Sequence, residues 1–192
     1  MVGVEQVSIK NQPHYQLGDT DQECRYPVLV GGKNIGLIYR WHGAWFAIPA
    51  GTSKERRVGY GSTGSDTAAQ HLVTEFNAGR IIPQQGTKTR HAKLRLPVGP
   101  VPLLHPRMPA SPRNVETAHK AMAGLTEYLW TPFGGYPGAD NPWFLRCQLC
   151  GWQGPRYWSH LRGRNGNPPS PFRHPDCLGT DQVRSRIAAY QK

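Results

Sequence analysis

The chain has 192 residues, with 23 Lys plus Arg against 12 Asp plus Glu, a formal charge of +11 and only 38% apolar residues. Gly (22) and Pro (18) make up about a fifth of it, which is rich in turns but below the level of a disordered tract. These totals exclude one large hydrophobic core and favour two small ones, which usually need a staple; no stretch has the length of a membrane span, and no signal-peptide apolar region opens the chain.

Residues 1–24 are polar and mixed and read as an N-terminal arm, with Cys24 a solitary, half-buried small residue. From Tyr26 to Tyr60 the pattern is strand-like. Pro27-Val28-Leu29-Val30 ends in Gly31-Gly32, Asn34 to Trp41 is rich in β-branched and aromatic residues, and Ala44 to Ile48 follows. His42-Gly43 falls where a tight hairpin turn belongs. Arg56 to Tyr60 adds a further short strand. A helix capped by Ser65 comes next, with Ala68, Ala69, Leu72, Val73 and Phe76 on one face and Gly79 at its stop. Gly59-x-Gly61-x-x-Gly64 spells a dinucleotide-loop motif, but no βαβ unit or spaced acid follows, so it reads as a loop.

Residues 80–113 hold seven prolines, seven Lys or Arg and no acid. They read as a basic, extended linker, a spacer or a track along a phosphate backbone. Residues 114–130 predict a second helix, capped by Asn114 or Ser111, with Val115, Ala118, Met122, Leu125 and Leu129 as its stripe. The expected class is α+β: a small antiparallel sheet with one helix over residues 25–79, then a helix and a zinc module over 114–192.

That module rests on Cys147-x2-Cys150 and, 23 residues on, His174-x2-Cys177. Two-residue gaps let two ligands grip one ion from a tight turn, and three sulfurs with one imidazole suit a closed tetrahedral Zn2+ site. Gly151 suits the positive-φ turn that aims backbone amides at the thiolates. His160 is the alternative to His174. Four protein ligands make the single ion structural, and paired cysteines used for metal point to a reducing cytoplasm, nucleoid-associated or in a phage-infected cell.

The run Gly135-Tyr136-Pro137-Gly138-Ala139-Asp140-Asn141-Pro142-Trp143, then Cys147-Gln148-Leu149-Cys150-Gly151, then Pro155-Arg156-Tyr157, resembles a zinc-ribbon or treble-clef module of actinobacterial and phage-associated proteins. Leu161 to Gly166 stands in that module's Arg-Gly position. The likeness covers about 45 of the 192 residues and departs from the pattern in its last pair, HxxC for CxxC, and in the extra run Asn167 to Phe172. It implies a nucleic-acid-associated zinc module and fixes no substrate. More distantly, IGLIYRWHGAWFAIPAG and DTAAQHLVTEF are similar in shape to the plant AP2 domain and to phage-integrase arm-binding domains, in which a sheet face enters the major groove.

Arg outnumbers Lys 16 to 7, and Arg is the better residue for bidentate phosphate and base contacts. The candidate nucleic-acid contacts are Arg156, His160, Arg162, Arg164 and Arg173 between the ligand pairs. The AP2 likeness adds Arg40, Trp41 and Trp45 on the sheet, with Lys54, Arg56 and Arg57 on phosphate. Lys88 and Arg90 lie in the linker. Trp152 and Tyr157 read as module core. DNA is the expected partner, with RNA open. A protein–protein adaptor for a polymerase or other phage or host factor is the alternative, and it would present Trp41, Trp45, Trp130 and Trp158. An HNH-type nuclease could draw on His160, Asn165 and His174, but only Asp176 and Asp181 supply carboxylates nearby. The sequence therefore reads as non-enzymatic.

Overall fold

In the computed structural model, which describes residues 15–85 and 94–191, His42 and Gly43 both take positive φ, 47° and 78°. A two-residue turn of this hand matches strand twist and pairs β3 (Lys33–Trp41) with β4 (Ala44–Pro49). Around this hairpin an antiparallel sheet forms in the order β1 (Gln16–Leu17), β2 (Tyr26–Val30), β3, β4, β5 (Arg56–Tyr60), and β6 (Gln84–Gln85) also pairs with β3. The helix α1 (Gly64–Asn77) buries Ala68, Ala69, Leu72 and Val73 against Ile35, Ile38 and Ala47, with Phe76 at the margin. Gly79 has φ +72° just past its end. Ser65 is not the cap: the helix already begins at Gly64, and Thr63 holds the cap position without a side-chain hydrogen bond.

The second helix, α2, spans Pro112–Glu127, and the Ser111 hydroxyl accepts from the Asn114 amide at 3.3 Å. It starts and ends earlier than the periodicity suggested. Leu129 takes φ +55° and turns the chain into β7 (Trp130–Pro132). β7, β8 (Pro142–Cys147) and β9 (Gln153–Tyr157) form a three-stranded antiparallel sheet. The short helix α3 (Trp158–Leu161) and α4 (Thr180–Arg186) complete the unit. Gly124 is what seats α3 on α2: a Cβ there would lie 2.2 Å from the Trp158 ring. The fold is α+β, and among the described residues no helix is long and apolar enough to cross a membrane.

The described residues between the two units are not a free spacer. The Leu94 amide donates to the Gln153 side chain at 2.7 Å, and Leu103 and Leu104 pack on the C-terminal core. Cys24 is 2% exposed, in a small cluster with Leu94, Leu96, Phe133 and Phe144. It is thus a fully buried residue, in which burial pushes the thiol well above its ordinary range. Residues 15–24 likewise belong to the fold, through β1 and Cys24, rather than to a loose arm.

A buried amide fastens the two units. Asn141 is 1% exposed; its Oδ1 accepts from the His42 backbone at 2.6 Å and its Nδ2 donates to the Pro137 carbonyl at 2.6 Å. Truncation would orphan both backbone groups at a cost of about 1–3 kcal/mol per group. Asn141→Ala is therefore expected to lower the thermal midpoint by several degrees, whereas Asn167→Ala, at an exposed position, should leave it unchanged; differential scanning calorimetry of the two variants checks this.

Candidate metal centre

The loop between β8 and β9 is a knuckle. Gly151 has φ +77°, its amide donates to the Cys147 carbonyl at 2.8 Å, and the Cys147 amide donates to Trp152 O at 2.8 Å. A side chain at Gly151 would strain this conformation. A second tight turn, His174 to Cys177, precedes α4, with Asp176 at φ +62°. The two turns meet. Ligand atoms of Cys147, Cys150, His174 and Cys177 all lie within 4.8 Å of one another, and together they could hold a metal ion. Cys147 and His174 are buried, Cys177 is partly so, and Cys150 faces solvent.

The sulfurs of Cys147 and Cys177 are 3.9 Å apart, those of Cys150 and Cys177 are 4.0 Å apart, and Cys150 Sγ is 3.1 Å from His174 Nε2. His174 Nδ1 sits 2.6 Å from the Pro175 carbonyl. A carbonyl only accepts, so Nδ1 carries the proton and Nε2 presents its lone pair to the cluster. Burial, followed by the charges of Arg156 and Arg173, outweighs the Pro175 carbonyl and holds His174 below the usual imidazole range, in the neutral form a ligand needs. Trp152 stacks on the imidazole at 4.5 Å and 10°. Trp152 is therefore packing around the centre, as its place in the sequence suggested. His160 lies outside the cluster, exposed at α3.

Arg173 lies beneath the sulfurs and is 1% exposed. Its Nε donates to Cys147 Sγ at 3.1 Å, and its Nη1 and Nη2 donate to the carbonyls of Tyr128 and Leu129, both at 2.7 Å. The guanidinium sits 4.0 Å over the Trp130 ring. Burial alone would push the Cys147 thiol up. The Arg173 hydrogen bond and charge, with the amides of Leu149 and Cys150, outweigh it and hold Cys147 below an ordinary thiol. Cys177 is instead pushed up to about 11, first by burial and then by the facing Cys147 sulfur. Crowded sulfurs of this kind are what a bound cation relieves.

Arg173 is thus not a nucleic-acid contact: every face of it is spent inside the protein. Arg156 is half-buried over the Trp130 and Phe172 rings, at 5.9 and 5.8 Å. Arg162, Arg164 and His160 are exposed on α3 and the loop after it, Arg164 at 3.5 Å from Asp140. Lys54, Arg56 and Arg57 are exposed on the loop and strand at the β5 edge. Lys88 and Arg90 lie outside the described residues. Arg40 and Trp45 do not point away from α1. They are paired across β3 and β4; Trp45 packs with the α1 core and donates to Gly61 O at 3.1 Å, while Arg40 lies 5.5 Å over Tyr157. Trp41 is on the opposite face, 4.9 Å from the His105 ring. Trp130 and Trp158 are buried and Trp41 and Trp45 half-buried, so these four form no exposed aromatic patch.

No protein-family model, curated protein or solved structure matches the chain. The functional reading therefore comes from the geometry of the site itself.

Proposed function

We propose that the centre holds one structural Zn2+ and that the chain is a non-enzymatic DNA-binding protein whose basic surface is stiffened by the metal. Zn–S bonds of about 2.3 Å make the sulfur–sulfur edge of a tetrahedron about 3.8 Å, close to the 3.9 and 4.0 Å separations here. Four protein ligands fill the coordination sphere and leave no place for a reactive water. A knuckle in a hairpin, with the second pair just before a helix, is in keeping with the treble-clef likeness.

The observation that carries the DNA reading is the exposure of Arg162 and Arg164 on the segment between the two ligand pairs, in a chain of net charge +11. With the ends of that segment clasped, these guanidinium groups meet a phosphate backbone at little further entropic cost. Fluorescence anisotropy on a labelled duplex tests it. Affinity should fall steeply with salt, and Arg162→Ala/Arg164→Ala should weaken binding at each salt concentration, lower the log–log slope by about 2 and leave the zinc content unchanged. Affinity that does not vary with salt, or a double variant that binds like the parent, would contradict the reading.

A further inference from the structure

A cleft of about 590 Å3 opens between the first turns of α2, the loop Tyr136 to Asn141 and the end of α3. That volume falls within the range of small-molecule sites, roughly 300–1,000 Å3. Arg113, Lys120 and Arg162 line it, and Asp140 is its one carboxylate. Asp140 already faces Arg164 at 3.5 Å, and Lys120 faces Glu116 at 2.6 Å. The guanidinium groups of Arg113 and Arg162 form no ion pair among the described residues. The first turn of α2 has no acidic residue, so its positive pole adds to theirs.

Tyr136 gives the cleft its chemistry. The residue is 2% exposed, with its ring held edge-on to Trp143. Its hydroxyl has no hydrogen-bond partner among the described residues, and the residue lines the cleft together with Arg162. Buried phenols normally find a partner. Here a phenol without a partner and two guanidinium groups without ion pairs line one concave, electropositive space, the donor set that a phosphate with its surplus of acceptor oxygens requires.

We propose that this cleft binds the phosphate group of a single nucleotide, with Arg113 and Arg162 on its oxygens and the Tyr136 hydroxyl donating to it. The proposal rests on the nucleic-acid reading only for the source of that phosphate, a strand end or a free nucleotide.

Calorimetry on the zinc-loaded full chain tests it, using deoxyadenosine 5′-monophosphate, deoxyadenosine, and one single strand carrying either a 5′-phosphate or a 5′-hydroxyl. The monophosphate should bind at least about tenfold more tightly than the nucleoside. Arg113→Gln should weaken it by about tenfold and Tyr136→Phe by severalfold. A strand that prefers its phosphorylated end identifies a strand terminus as the ligand; binding of the monophosphate without that preference identifies a free nucleotide. Both outcomes keep the assignment. Equal binding of nucleoside and monophosphate, or an Arg113→Gln protein that binds like the parent, overturns it. Duplex binding retained with neither phosphate probe bound removes the cleft alone; monophosphate binding retained with no duplex binding removes the DNA reading alone.

Discussion

Removing the proposed zinc is expected to unfold the C-terminal unit. Three sulfurs and an imidazole lie within 4.8 Å of one another, and the knuckle, Arg173 and the C-terminus of α2 all converge on them. The core behind them is built on α2, the three-stranded sheet and Trp158. A structural zinc contributes roughly 10–16 kcal/mol of apparent binding energy, as large as the whole stability of a typical domain, about 5–15 kcal/mol. A strong chelator, or Cys147→Ser, should therefore abolish most of the near-UV circular dichroism of Trp130, Trp143, Trp152 and Trp158. The sheet built on β1–β6 and α1 has its own core and should retain far-UV signal. An unchanged near-UV spectrum in chelator would mean that the cluster does not hold the unit together.

Loss of Arg173 is expected to be the most damaging single change outside the ligands. Three thiolates, a neutral imidazole and a divalent cation sum to −1, and the buried guanidinium brings the assembly to zero. Its removal leaves a thiolate and two carbonyl groups without their donors. Breaking a buried charged pair costs about 3–5 kcal/mol, and losing an outer partner of a metal ligand lowers metal affinity about 10–100-fold. Arg173→Ala should show both losses in urea denaturation and in competition with a zinc indicator dye. Arg173→Lys should not restore the parent, because one ammonium cannot span three acceptors or lie flat on Trp130. Full rescue by Lys would reduce the role of Arg173 to charge alone.

The clustering of Cys147, Cys150, His174 and Cys177 was legible because metal chemistry fixes such spacings within the sequence. The hairpin at His42-Gly43 and the α1 stripe were legible for a similar reason: both are local periodicities. Arg173 was not. An arginine beside a ligand is equally suited to a phosphate and to a thiolate, and only the folding of β7 and α2 around it decides. Arg40 and Trp45 were misplaced because the face of β4 that α1 covers depends on packing from outside the strand, and the β4–β5 register shifts between Trp45 and Phe46. The Pro-rich composition of residues 80–113 suggested a spacer, yet its leucines pack on the C-terminal core and on the small Cys24 cluster across long sequence separations. Asn141 carried no signal for its role, since its partner His42 is 99 residues away.

X-ray absorption at the zinc edge on the purified chain, with metal quantified in the same sample, probes the centre most directly. One zinc per chain, with three sulfurs at about 2.3 Å and one nitrogen at about 2.0–2.1 Å, is the predicted result. A chain that carries no stoichiometric metal, or an ion with oxygen ligands in its shell, would contradict the account.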